Sequence, residues 1–226
     1  MRPLGEQLME LLRVAPGETV CDLMCDGAAL STLLAVQGAR VLAVDTRSDL
    51  TAAAAADVGG ERVQQVWTDG RHLPIPDGSC DAVASLLTLV FGDAPSLLIE
   101  SLRVLRPGGR LAVLTWDLDQ SPPFLLALRE ALHEAGVESE LLSSWLRPVE
   151  VDEPFKSHVI DDVARFDSLA QLWSAAAHDS DIGSELPELS SEIVRRIQRR
   201  LDVDLSRYAG ADGTLRIPVR AQLITI

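Results

Sequence analysis

Three observations predict a doubly wound α/β fold, with a mostly parallel seven-stranded sheet and helices on both faces. Apolar runs of strand length alternate with helix-length periodic segments as far as residue 135 or so. Acidic residues mark the ends of three successive strand-like runs, at Asp22, Asp45 and Asp69. The helical segments between the runs stop at glycines, such as Gly38, Gly108 and Gly136, where the left-handed conformation that closes a helix carries no steric cost.

The elements follow in order. "ETVCDL" reads as a buried strand ending near Leu23, and "ALSTLLAVQG" as a helix stopping at Gly38. "ARVLAVD" is a second buried strand, and "SDLTAAAAADVGG" a helix capped by Ser48. "ERVQQVWTD" and "CDAVASLL" are the third and fourth strands. "PSLLIESLRVLRPGG" is a helix closed by Pro107, Gly108 and Gly109, and "RLAVLTW" is the fifth strand. "PFLLALREALHEAG" is a helix with proline in its first turn. The pattern then loosens: "KSHVI" is strand-like, "DSLAQLWSAAA" helix-like, and "SSEIVRRIQRRLDVDL" a clear amphipathic helix. "GTLRIPVRAQLITI" is the final strand. This organisation predicts one domain over 1–226, with a core over 1–136, a variable lid-like insertion over 137–210 and a last strand over 211–226.

Composition excludes several classes. The formal charge of −14 repels nucleic-acid phosphates. The arginines at 195, 196, 199 and 200 read as a solvated helix face in so acidic a chain. No apolar run reaches the ~20 residues of a membrane span, and "MRPLGEQLMELL" is too acidic for a secretory signal. The expectation is a cytoplasmic protein without a membrane segment. Cys21, Cys25 and Cys80 make neither a disulfide framework nor a metal site, and read as small buried hydrophobes. No metal is expected. His72, His133, His158 and His178 are scattered without catalytic spacing.

In a doubly wound sheet the ligand crevice lies outside the carboxyl ends of the strands, where strand order reverses. An acid ending the second strand can accept both hydroxyls of a ribose, and an acid after the third can meet an adenine amino group. A nicotinamide-binding chain would need G-x-G-x-x-G after strand one, and "DLMCDGAALS" lacks it.

The ordered motifs resemble those of the class I S-adenosylmethionine (SAM)-dependent methyltransferases of the small-molecule, ubiquinone/menaquinone type, which have a Rossmann-like fold. "VCDLMCDGA" stands where that family has V-L-D-L-G-C-G-T-G. "TDGRHLPIPDGSCDAV" is similar to its G-D-A-x-x-L-P-F-P-D-x-S-F-D-x-V, and "LIESLRVLRPGGRL" to its E-x-x-R-V-L-x-P-G-G-R-L. The resemblance implies SAM as cofactor. It implies a cofactor site formed by Asp22, Met24, Cys25, Asp26 and Gly27, with Asp45 on the ribose and Thr46 beside it, Asp69 on the adenine with Gly70 beside it, and Leu86 at the end of the fourth strand. It implies a small-molecule acceptor over strand four, near Leu87, Thr88 and Phe91, with Trp116, Trp145 or Trp173 as walls, each of which reads equally well as aromatic core. No general base is named by the sequence, and His158, His178 and Asp161 in the lid-like region read as solvated or structural.

One segment departs from the family. Its loop glycines fall at Met24, Asp26 and Ala28 here, and Gly27 is displaced from the pattern. Met24 puts a long side chain where the ribose and methionine portion would pass. Asp26 puts a carboxylate where it would repel the cofactor's carboxylate or pair with its amino group or sulfonium. Two functions stay open at this point: an active methyltransferase with a remodelled loop, and a methyltransferase-like chain without catalysis that serves as a partner subunit or binds another ligand. A homodimer or heterodimer is compatible with either.

Overall fold

The computed structural model describes residues 4–26, 29–48, 62–87, 93–117, 122–137, 152–178 and 189–226, with backbone alone for 175–178. In chain order the elements are α1 (Leu4–Leu12), β1 (Thr19–Leu23), α2 (Ala29–Val36), β2 (Arg40–Asp45), β3 (Val63–Trp67), β4 (Cys80–Leu86), α3 (Ala94–Val104), β5 (Leu105–Trp116), α4 (Pro123–Glu134), β6 (Lys156–Phe166), α5 (Leu169–His178), α6 (Ser191–Leu205) and β7 (Leu215–Thr225). The helix expected over 48–60 lies outside the described residues beyond Ser48. Helix α1 is an element the sequence reading did not assign.

The strands form one seven-stranded sheet in the order β3-β2-β1-β4-β5-β7-β6. The pairs β1–β2, β1–β4, β2–β3 and β4–β5 are all parallel. Strand order runs outward in opposite senses from β1, so the switch point lies between β1 and β4. This is the Rossmann-like doubly wound sheet that the alternating pattern predicts. By compactness the chain divides into a larger unit, 2–115 with 149–160 and 221–226, and a smaller one, 116–148 with 161–220.

In the larger unit the period-two rule decides what faces what. Val20, Val41, Ala43, Ala82, Ala84, Ala112, Leu114, Ala221 and Leu223 share one cluster with Leu8 and Leu12 of α1 and Leu30 and Leu34 of α2. Alanines on four of these strands leave room for long leucines from the helices. Asp22 is two residues on from Val20, so its side chain faces the same way, toward α2. At the opposite edge Arg106 pairs with Asp81 at 2.8 Å, and Arg110 pairs with Glu18 at 2.5 Å. The Arg110 partnership and a backbone N–H from Ala15 hold the Glu18 carboxyl below its ordinary range against the opposing effect of burial, which is the largest single influence.

Strand β5 carries an irregularity. Leu105 pairs with Cys80 and Arg110 with Ala82, so residues 106–109 oppose a single residue and are thrown out of the ladder. The helix therefore ends at Val104, ahead of the Pro-Gly-Gly expected to close it. Gly108 makes the reversal at φ +76°, and a Cβ on Gly109 would stand 2.9 Å from the Arg106 carbonyl oxygen.

In the smaller unit α4 and α6 pack together through Leu125, Leu128, Leu132 and Ile197, Leu201, Leu205. Arg200 bridges the pair, 2.6 Å from Glu134 and 2.7 Å from Asp204. Arg195, Arg196 and Arg199 are exposed, as a solvated face requires. Arg220 lies 3.0 Å from Asp161 and 3.5 Å from Asp117. Among the described residues no helix is long and apolar enough to cross a membrane.

Gly109→Ala is expected to cost about 1–3 kcal/mol, because backbone must shift. Gly108→Ala meets open space and should cost only the left-handed strain, about 1–2 kcal/mol. Urea unfolding checks both, and a Gly109→Ala protein as stable as the parent would refute the close approach.

Candidate functional site

The site grows out of the carboxyl ends of β1, β2, β3 and β4, all within the larger unit. Pairing continues one or two residues beyond the strands. Cys25 N–H donates to the Val44 carbonyl at 2.9 Å, Thr68 N–H to the Asp45 carbonyl at 3.0 Å, and Leu87 N–H to the Leu114 carbonyl at 2.8 Å. The backbone then turns sharply. Met24, Asp26 and Leu87 have φ of 54°, 38° and 65°, and Gly70 has 80°. Three non-glycine residues in the left-handed region around one sheet edge mark a constrained locality.

Asp45 holds the centre. Its side chain is wholly buried. Oδ2 accepts the Asp26 N–H at 3.1 Å and Oδ1 the Arg47 N–H at 3.0 Å. A buried carboxylate needs such donors, and here they come from the two loops that leave β1 and β2. The bond at Asp26 holds the glycine-poor loop against the end of β2.

Asp22, 1% exposed, accepts a hydrogen bond from the Ser31 hydroxyl at 2.6 Å. The pair joins β1 to the first turns of α2 across the loop. Burial pushes the Asp22 carboxyl up to about 7, the Ser31 bond opposes that rise, and the charge of Asp45 adds to it. Two buried carboxylates this close disfavour double ionisation.

Met24 is wholly buried, and its neighbour Cys25 packs into the core cluster. Asp26 is partly exposed. The backbone thus keeps a left-handed path at two positions where the family has glycine, although side chains are present. Gly27 and Ala28 lie outside the described residues.

Asp69 sits two residues beyond β3 and is exposed. Its Oδ1 accepts N–H bonds from Arg71 at 2.9 Å and His72 at 2.8 Å, which hold the carboxyl below the ordinary range. Among the described residues its Oδ2 takes no hydrogen bond. Gly70 follows with its N–H on the Thr68 hydroxyl and its carbonyl accepting the Asp93 N–H. Thr46 accepts the indole N–H of Trp67 at 3.0 Å on its carbonyl.

The structure therefore gathers Asp22, Met24, Cys25, Asp26, Asp45, Thr46, Asp69 and Gly70 along one sheet edge, with Leu86 ending β4. Thr88, Phe91 and Trp145, expected near the acceptor, lie outside the described residues. Trp116 meets Phe124 edge-on at 5.6 Å, and Phe124 meets Phe166 at 6.2 Å, so it belongs to an aromatic cluster of the smaller unit. Trp173 is buried on α5, His158 is exposed, and Asp161 pairs with Arg220. The three cysteines are free thiols and buried. Among the described residues no cluster of three metal-ligating side chains occurs. Sequence reasoning missed Ser31 as the partner of Asp22, although a serine in the first turns of α2 was visible. It also missed Glu100 and Arg103, described below.

The residues present fit the adenosyl part of SAM in kind: an exposed acceptor at Asp69 and a ribose-type acid at Asp45. Asp45 is wholly buried, and both its carboxyl oxygens accept backbone N–H bonds.

Comparisons with known proteins show what the chain is similar to. Residues 21–113 match the family described as a methyltransferase domain. A demethylmenaquinone methyltransferase of Mycolicibacterium gilvum is 37% identical over 132 residues, 56% of this chain and 54% of the relative. One from Clavibacter sepedonicus is 33% identical over 166 residues, 59% of this chain and 66% of the relative. The chain thus spans between half and two thirds of the length of these curated relatives. Among solved structures, a protein of Anabaena variabilis assigned as a methyltransferase of an antibiotic biosynthesis pathway aligns with TM-score 0.65 and 19% identity, over 98% of this chain and 95% of its own. A Bacillus halodurans protein assigned as a methyltransferase aligns with TM-score 0.62 and 16% identity, over 98% and 97%. At these identities the structures establish the fold.

Two measurements test the site's architecture. The unfolded Asp22 carboxyl releases its proton near pH 4, whereas the folded one holds it to about 7. The native state binds the extra proton in between, so this residue's contribution to stability falls as pH rises through that window. Asp22→Asn should remove that slope. The variant gains on the parent between pH 4.5 and 8 by an amount on the order of 3 kcal/mol, read from urea unfolding at both pH values. An equal pH dependence would show that Asp22 ionises normally. Separately, Met24→Gly should lower stability, since losing a buried methionine side chain costs roughly 2–5 kcal/mol and relief of left-handed strain returns only about 1–2 kcal/mol. Asp26→Gly should be neutral or stabilising in the same assay. The reverse order would place Met24 at the surface.

Proposed function

We propose, for a chain whose residues 21–113 match the methyltransferase-domain family, that it transfers a methyl group from SAM to a small-molecule acceptor. The observation that carries this reading is the ordered set of strand-end acids, Asp22, Asp45 and Asp69, around the switch point between β1 and β4. SAM supplies a methyl group already activated on a positive sulfonium.

The chain's own residues then have four tasks. Asp69 accepts the adenine amino group on Oδ2, because Oδ1 is committed to the loop. Asp45 accepts ribose hydroxyls once the segment around Asp26 moves off it. Met24, Cys25, Asp26 and Gly27 carry the turn against which the methionine portion lies, with Thr46, Gly70 and Leu86 as neighbours. Asp22 and Ser31 hold the root of that turn. In such a reaction the protein mainly positions the acceptor and excludes water. Thr88, Phe91, Trp116 and Trp145 are the proposed acceptor walls. Residues 137–210 are the proposed lid over a single domain. The named relatives act on demethylmenaquinone. The domain match ends at residue 113, so for this chain the reading stops at a small molecule.

Titration calorimetry with S-adenosylhomocysteine should show binding at roughly micromolar Kd or weaker, since the loop must move and three glycine positions carry side chains. Absence of both heat and a melting shift at millimolar ligand would leave the non-catalytic reading, a partner subunit or a binder of another ligand. A triple change, Met24→Gly, Asp26→Gly and Ala28→Gly, sharpens the result. Affinity that appears only there marks a degenerate loop, and unchanged affinity shows that the loop side chains do not obstruct the ligand.

A further inference from the structure

The segment from Thr68 to Asp77 has no regular structure and lies between β3 and β4, yet it is tightly bound. Its buried centre is Leu73. The Leu73 N–H donates to Glu100 Oε2 at 2.9 Å, and the Leu73 carbonyl accepts from Arg103 Nη2 at 2.8 Å. One peptide segment is thus gripped at donor and acceptor by two side chains of α3. Arg103 Nη1 also donates to the Ile75 carbonyl at 2.8 Å and to Asp77 at 2.6 Å. Arg103 is fixed in turn by a two-pronged pairing with Glu100, Nε to Oε1 at 2.8 Å and Nη2 to Oε2 at 2.7 Å. His72 Nδ1 stands 2.8 Å from the same Oε2. The Glu100 side chain is 14% exposed.

The clamp reaches Asp69 through four residues of chain. His72 donates its N–H to Asp69 Oδ1, and its carbonyl accepts the Thr68 hydroxyl at 2.6 Å, closing the turn that carries the acid. The far side is tied as well, Arg71 to Asp93 at 3.4 Å and the Gly70 carbonyl to the Asp93 N–H at 2.8 Å. An exposed carboxylate reads a base edge only if its backbone does not swing, and such preorganisation comes from a supporting layer of bonds.

We infer that Glu100 and Arg103 are positioning residues for nucleobase selection. They hold the Asp69 turn so that Oδ2 meets an exocyclic amino group and rejects a 6-oxo purine. The inference rests on the reading of Asp69 as the adenine acceptor. Neither residue touches the ligand.

Paired titrations with S-adenosylhomocysteine and S-inosylhomocysteine test it. The inosyl compound carries an oxo group where the adenosyl one carries the amine. The parent should prefer the adenosyl compound by about tenfold or more, the worth of one hydrogen bond to a charged group. Asp69→Asn should collapse that preference, and Asp45→Asn should weaken both ligands while leaving the ratio intact. Glu100→Gln, which keeps shape and loses charge, should bring the ratio to within about threefold of that of Asp69→Asn, and Arg103→Lys should do likewise. Titrations run well below each variant's melting temperature, so a folding defect alone moves Tm and not the ratio. A parental ratio in Glu100→Gln or Arg103→Lys, whatever its Tm, overturns the positioning role while leaving the cofactor reading in place. Failure of the parent to bind either compound overturns both.

Discussion

A carboxylate shut away from water must be satisfied by the chain itself, and the carboxyl edge of this sheet depends on one such group. Asp45 has no exposed surface, and it takes the amide hydrogens of Asp26 and Arg47. Those two bonds set the direction in which the chain leaves β1 and β2. Burial holds the neighbouring Asp22 carboxyl up to about 7, and the negative charge of Asp45 adds to that rise. Ser31 compensates in part and ties α2 to the assembly. Loop path thus traces to Asp45, whereas helix placement rests on the Ser31–Asp22 bond and proton affinity chiefly on the burial of Asp22.

The bond at Asp26 also explains how the loop tolerates its side chains. A left-handed residue other than glycine costs about 1–2 kcal/mol. A hydrogen bond to a charged group contributes about 1.5–3 kcal/mol, which covers the strain at Asp26. Met24 has a different compensation, since its side chain is wholly buried. Loss of glycine from the sequence is therefore not loss of the turn. The described part of the loop is bonded to Asp45, which is wholly buried.

Strand and helix order was legible because the apolar periods are clean and the helices stop at glycine or proline. The acids were legible as positions, since Asp22, Asp45 and Asp69 fall at strand ends in any parallel reading. Their states were not. The buried Asp45 takes a bond from Asp26, nineteen residues away, and nothing in "LMCDGA" announces it. The clamp was half visible, because Glu100 and Arg103 are three apart on one helix. Their grip on Leu73 is a tertiary event about thirty residues distant in sequence. The bulge at 106–109 was read as a helix stop, since Pro-Gly-Gly serves equally for either. Helix α1 is only nine residues long, and its buried face of Leu8, Met9 and Leu12 becomes evident once it packs on the sheet.

The two halves of the site are held by separate sets of side chains. Asp22, Ser31 and Asp45 secure the loop after β1, whereas Asp69, Asp77, Glu100 and Arg103 secure the turn after β3. Among the described residues the two named sets share no side chain, and the halves meet through the Thr68 N–H on the Asp45 carbonyl and the Trp67 indole on the Thr46 carbonyl. The site is modular in the evolutionary sense. Substitutions in one half then fall on a different set of side chains from those that shape the other, so a lineage can rewrite its glycine loop and still retain the turn that presents Asp69.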